Sequence, residues 1–303
     1  MRYYIGVVSF FMLLVCQSCR PAKTRQTDQK LHILTTTGML ADLIGNIVGE
    51  HATVEALMRP GVDPHLYKAS QGDLRKIMDA DYLFYNGLHL EGKLSGIFAK
   101  QERVKPVISV GDGLPNLIRL NEKTFDPHIW FDVQLWKAAA MVAARELGRL
   151  DSTNSPSYLA NARRYTDRLD TLDKWIGEQI QTIPVSKRTL ITAHDAFSYF
   201  GRAYGIEVRG LQGISTLSEF GLRDVSDLVS YIVTRRIPAV FVESSVSDKS
   251  LTAVVAGVRE RGGDVQIGGH LYADAMGEPG TPEGTYIGMV EHNVRTIVKA
   301  LSN

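Results

Sequence analysis

The chain has 303 residues, 44% of them hydrophobic, with 34 Lys and Arg against 33 Asp and Glu. That length holds one large globular domain or two smaller ones, and a net charge of +1 gives no electrostatic argument for nucleic acid as a partner. Both cysteines lie within the first 19 residues, so a chain cut before Cys19 keeps one thiol and forms no internal disulfide. At the N-terminus, Arg2 precedes an apolar run from Ile5 to Val15 that ends in Cys16-Gln17-Ser18-Cys19. The run is too short to span a bilayer as a mature helix. A basic residue, an apolar core and the small Ser18 together describe a secretory signal peptide over residues 1–18, which is excluded from the fold. Residues 19–30 are polar and basic without apolar periodicity, and read as a flexible tether.

From Leu31 onward, short apolar runs alternate with longer amphipathic stretches, the pattern of β-strands with crossover helices and hence of parallel sheets. Strands are expected at 32–35, 53–57, 82–85 and 107–109, then at 189–192, 207–209, 239–243 and 265–267. Four and four predict an α/β protein of two similar lobes, residues 31–150 and 186–303. Between them, Ser155 and Pro156 read as N-cap and first helical residue. Leu159, Ala162, Tyr165, Leu169, Leu172, Ile176, Ile180 and Ile183 then recur at steps of three and four, one buried face of a helix over 155–183 that Pro184 stops. Such a strut joins the lobes more rigidly than paired loops and limits closure on a ligand.

Of eight histidines, two stand in the same tripeptide, Asp63-Pro64-His65 and Asp126-Pro127-His128. His194 follows the apolar run Thr189-Leu190-Ile191-Thr192, and Asp274 lies just beyond the last expected strand. In open α/β sheets ligands bind in the crevice past the C-terminal strand ends. Taken one at a time, these residues have plainer explanations: Asp-Pro is a common turn opening, and a His at a strand end is usually hydrogen-bonded surface. Dispersed ligands leave no local spacing signature of the zinc-finger or HExxH kind, so spacing alone does not decide for a metal site.

Resemblance decides more. Ser18-Cys19 resembles the lipobox of bacterial lipoproteins, which implies Cys19 as the acylated first residue of the mature chain; Cys16 stands where the usual Leu would be. The segments Met58-Arg59-Pro60-Gly61-Val62-Asp63-Pro64-His65, Asp126-Pro127-His128-Ile129-Trp130-Phe131-Asp132, Thr192-Ala193-His194-Asp195-Ala196-Phe197, Phe241-Val242-Glu243-Ser244-Ser245 and Tyr272-Ala273-Asp274-Ala275-Met276-Gly277 resemble, in order, the signature stretches of the solute-binding lipoproteins of zinc and manganese ABC importers. With Gly210-Leu211-Gln212-Gly213-Ile214-Ser215, the likeness is greatest to the TroA-like members. It implies two lobes, each a parallel four-stranded sheet with helices, joined by one long helix. It also implies one ion between the lobes, held by His65 and His128 from the first and His194 and Asp274 from the second.

The implied partners are a permease in the cytoplasmic membrane with its cytoplasmic ATPase, and the implied state is an exported, lipid-anchored monomer, periplasmic or otherwise extracytoplasmic. Three imidazoles and one carboxylate make a nitrogen-rich site suited to four-coordinate zinc, and bidentate Asp274 would admit manganese. Many zinc-specific relatives carry a His-rich loop in the first lobe, and residues 111–125 contain no His; zinc is favoured only slightly. Asp63, Asp126, Asp132, Asp195 and Glu243 stand beside the ligands as candidates to hold their free ring nitrogens. His32, His51, His89, His270 and His292 are read as structural. Trp130, Phe131 and Phe197 are expected to wall the site off from water. A secreted zinc-dependent hydrolase and an adhesin are the competing readings. The absence of HExxH and Gly-x-Ser-x-Gly weighs against an enzyme.

Overall fold

The computed structural model describes residues 30–302; the signal-peptide, tether and Cys19 expectations fall largely on residues 1–29, outside the described residues. Strands β1 (Leu31–Thr35), β2 (Ala52–Ala56), β3 (Tyr82–Tyr85) and β4 (Val107–Ser109) form one parallel sheet in the order β2-β1-β3-β4. Its connections are α1 (Gly38–Val48), α2 (Gln71–Asp79) and α3 (Ser95–Gln101), and α4 (Val133–Leu150) follows. After α5 (Ser155–Gln181) the same order recurs as β6-β5-β7-β8, from β5 (Thr189–His194), β6 (Glu207–Gln212), β7 (Ala239–Glu243) and β8 (Gln266–Leu271). Helices α6 (Ser198–Tyr204), α7 (Leu222–Arg235) and α8 (Lys249–Glu260) connect those strands, and α9 (Tyr286–Leu301) is the last element. The two parallel sheets and the single long helix are as the resemblance implies.

Helix starts are set by local chemistry. Thr37, Asp132 and Thr285 each accept a backbone N–H at the first turn of α1, α4 and α9, and Ser70 with Asp73 forms a reciprocal capping box on α2. α5 begins one residue earlier than the Ser-Pro reading, with Asn154 at the cap and Ser155 already helical. Its buried face starts at Tyr158 rather than Leu159 and continues through Ala162, Tyr165, Leu169, Leu172, Ile176 and Ile180. Ile183 is buried too, but beyond the helix end, because the chain leaves the helix before Pro184. At 1.5 Å per residue this strut is about 40 Å long, and each fully buried Leu or Ile on it contributes about 1.5–3 kcal/mol.

α1, α4, α5 and α9 pack into one continuous apolar core that takes in residues of both sheets, with Trp136 stacked on Tyr286 at 5.2 Å. Two smaller cores lie on the outer faces, under α2–α3 and under α7–α8. Four strands run longer than expected, β1 and β5 slightly and β6 and β8 the most. β6 continues through Gly210 because a side chain there would press within 2.4 Å of the Asp195 nitrogen; glycine lets β6 lie against the end of β5. In β8, Gly268 and Gly269 lie beyond the expected strand end but are strand, and α9 packs so close to them that added Cβ atoms would meet Ala300 at 2.8 Å and Thr296 at 2.5 Å. His270 is therefore inside a strand, not past it.

Candidate metal centre

All four expected ligands converge where the C-terminal ends of the two sheets face each other. His65 lies in the loop after β2, His128 in the loop after β4, His194 is the last residue of β5, and Asp274 follows β8. Each is 0–2% exposed. His65 Nε2 is 3.3 Å from His128 Nε2 and 3.6 Å from Asp274 Oδ2. His128 Nε2 is 3.5 Å from Asp274 Oδ1, and His194 Nε2 is 3.3 Å from Asp274 Oδ2. Four atoms each about 2.1 Å from a common centre in a tetrahedron lie about 3.4 Å apart, close to these four distances, and one ligand atom from each residue lies within 4.8 Å of the others. His194 Nε2 and both oxygens of Asp274 are buried without a hydrogen-bond partner, a costly state for polar atoms unless something else occupies them.

Two of the three rings are aimed by carboxylates. Asp126 Oδ1 accepts from the His128 backbone N–H at 2.9 Å and from ring Nδ1 at 2.7 Å. Glu243, at the end of β7, accepts from the His194 backbone N–H at 2.9 Å and from Nδ1 at 2.5 Å. An ionised carboxylate only accepts, so Nδ1 carries a proton in both rings and Nε2 is the atom left to face the site. The other candidates do different work. Asp63 caps the His65 turn and accepts from Thr216 Oγ1 of the second lobe at 2.6 Å. Asp132 caps α4 and pairs with Arg202 at 3.0 Å, and Asp195 accepts from Ser198 Oγ at 2.9 Å.

The electrostatics follow from burial and crowding. Burial pushes the His65 imidazolium down to about 4 against the pull of Asp274, so its ring is neutral at pH 7. Burial also opposes charge on His194, but the adjoining Asp274 and Glu243 carboxylates outweigh it and raise its value well above 6.5. Asp274, though fully buried, is held below the usual carboxylate range by His194 first and then His128 and His65. Trp130 stands edge-on to His128 at 5.3 Å, and Phe131 stacks on Phe197 at 4.1 Å, forming the apolar wall expected of them.

Other residues that build the site carry no sequence signal. Asn86, just past β3, donates to the Pro127 carbonyl at 2.9 Å, and buried Glu91 accepts from Thr36 Oγ1 at 2.6 Å and Asn86 N at 2.8 Å. Tyr199 of α6 donates to the Asp126 carbonyl at 2.9 Å and accepts from Ile118 N at 3.1 Å. Trp130 Nε1 donates to the Ala273 carbonyl at 3.0 Å, next to Asp274. The remaining histidines stay outside: His89 is exposed, and the His270 carbonyl pairs with His292 Nε2 at 3.1 Å.

Twin parallel sheets, a rigid helical strut and a buried N3O ligand cluster between the lobes define a metal solute-binding protein. The family model described as zinc-uptake complex component A, periplasmic, matches residues 33–300, and the chain belongs to that family. It is 50% identical over 280 residues to the manganese-binding lipoprotein MntA of Bacillus subtilis (strain 168), covering 91% of this chain and 92% of MntA. It is 44% identical over 283 residues to the zinc-binding protein TroA of Treponema pallidum (strain Nichols), covering 93% and 92%. The solved structure of Treponema pallidum TroA matches with a TM-score of 0.89 over 91% of this chain and 100% of that one. The manganese ABC transporter substrate-binding lipoprotein PsaA of Streptococcus mitis is 30% identical over 309 residues, 99% of this chain and 97% of PsaA. These relatives are binding proteins of metal transport, and the hydrolase and adhesin readings gain no support from them.

Proposed function

We propose that the protein is the extracytoplasmic receptor of a metal ABC importer, capturing one divalent ion with His65, His128, His194 and Asp274 and delivering it to a permease driven by a cytoplasmic ATPase. The observation that carries this reading is the buried cluster of ligand atoms 3.3–3.6 Å apart, in which His194 Nε2 and both Asp274 oxygens have no hydrogen-bond partner. Residues 31–150 supply two ligands and residues 186–303 the other two, with the helix between them limiting how far they part. Cys19 supplies the lipid anchor and residues 1–18 the export signal. The receptor acts as a monomer. Among the described residues no helix is long and apolar enough to cross a membrane.

Zinc is the favoured cargo, because three neutral imidazoles suit it. Manganese is the second reading: Asp274 turns both oxygens to the site, Oδ1 toward His128 and Oδ2 toward His65 and His194, and a fifth bond relaxes the demand for a tetrahedral ion. The test is elemental analysis of protein stripped of metal and offered equimolar zinc and manganese, beside His194→Ala. One zinc per chain, lost in the variant, is expected. One manganese would keep the site and reverse the cargo; no stoichiometric metal would overturn the receptor reading.

A further inference from the structure

The loop that carries His65 is hydrogen-bonded to the second lobe at Asp63. Residues 57–58 still bond to β1 and its extension, through Leu57 N to Thr35 O and Met58 N to Thr36 O. Beyond them, the turn is held from within: Asp63 Oδ1 accepts from His65 N at 2.8 Å and Leu66 N at 3.4 Å. Across the cleft from this turn, Thr216 Oγ1 donates to Asp63 Oδ2 at 2.6 Å. Thr216 is itself fixed. Gln212 Nε2 donates to the Thr216 carbonyl at 2.7 Å and the Ser218 carbonyl at 2.5 Å, and Gln212 is the β6 residue in register with His194. An unbroken path therefore runs from the strand pair of one ligand, through Gln212, Thr216 and Asp63, to the backbone of another. A hydroxyl donating to a carboxylate is among the stronger side-chain hydrogen bonds.

We propose that Thr216 is a positioning residue for the ion, its hydroxyl clasping Asp63 across the cleft so that the His65 turn stays closed over the site. The inference rests on the metal-site reading above. Thr216 touches no ligand atom in the proposed coordination set; it acts through Asp63. The clasp slows loss of the ion and is a bond a permease could break without disturbing the apolar core.

The experiment is stopped-flow dissociation of zinc, and in parallel of manganese, into excess chelator from the full mature chain and from Thr216→Val, Thr216→Ser, Asp63→Ala and the Thr216→Val/Asp63→Ala double variant. Thr216→Val is expected to release ion about tenfold or more faster, in line with the loss of a hydrogen bond to a charged group. Thr216→Ser should restore the slow rate. In the Asp63→Ala background Thr216→Val should add nothing, since the pair acts as one unit. The melting temperature of each ion-free variant is read alongside. A Thr216→Val rate equal to wild type, or a valine effect that persists undiminished in the Asp63→Ala background, overturns the clasp while leaving the metal site standing. A wild-type chain that binds neither ion overturns the metal-site reading, and the clasp with it.

Discussion

The tripeptide Asp-Pro-His occurs twice, and the two copies are put to different uses. At Asp126-Pro127-His128 the aspartate turns one oxygen onto both the backbone and the ring of its histidine, while Asn86, Tyr199 and Trp130 tie the surrounding chain down. At Asp63-Pro64-His65 the aspartate caps only the backbone, and its second oxygen reaches the other lobe. The His128 copy is built into the core, and Trp130 continues it to Ala273 beside Asp274. The His65 copy is a turn held at its ends. Identical short sequences acquire different roles because the partner of the aspartate is chosen by what the fold places opposite it.

The sharpest way to break that contrast is to remove each aspartate in turn. Asp126→Ala should weaken ion affinity about 10- to 100-fold, the usual effect of losing the group that orients a ligating imidazole; Asp63→Ala should weaken equilibrium affinity less. Competition titration against a chelator of known strength measures both, and equal losses would erase the distinction. Next in size is the proton count. The His194 value in the folded, ion-free protein lies above that of a free imidazole, so its proton stabilises that fold below about pH 6.5 and the contribution is lost as pH rises through the folded value. An incoming ion displaces this proton, whereas His65, at about 4, has none to give at pH 7. Calorimetry in two buffers of different ionisation enthalpy should show about one proton released per ion at pH 7, with affinity falling as pH falls; no release would mean that His194 is neutral before capture. The unshifted value of a free imidazole would put this loss below about pH 6.5; the carboxylates around His194 move its onset upward.

Smaller effects should follow the same division. Trp130→Phe deletes the bond to the Ala273 carbonyl and should cost about 1 kcal/mol, seen as a fall of about 2–4 °C in thermal melting. Leu66→Ala, at an exposed position beside His65, should change stability by less than about 0.5 kcal/mol. A larger loss at Leu66 than at Trp130 would reverse the assignment of the rigid and the loosely held halves.

Much of the architecture is legible in the apolar runs, since buried parallel strands and a helix with a three-and-four repeat have distinct periods. The misjudged ends of β6 and β8 share one cause. Gly210, Gly268 and Gly269 look like breakers in a linear reading, but each marks a close approach of backbone or helix that only the assembled sheet reveals. The ligands themselves are invisible to spacing, being drawn from three loops and a strand end, each more than 60 residues from the next, and it is the ordered motifs that single them out. Which of the five neighbouring acids would hold a ring could not be read, because Asp126 and Glu243 are set apart from Asp63, Asp132 and Asp195 by what the fold places opposite them. Asn86, Glu91, Tyr199 and Thr216 act through partners far away in sequence and leave no local trace.

The core shared by α1, α4, α5 and α9 has a further bearing on how such a molecule can be made and unmade. Trp136, Tyr165 and Tyr286 are buried against one another's helices rather than within either half, so a lobe severed from its counterpart would leave a broad aromatic face wet. Neither half is a folding unit in its own right, and heat or denaturant should therefore dismantle both sheets in one step. Proteolytic nicking between the lobes would disable the receptor as a whole.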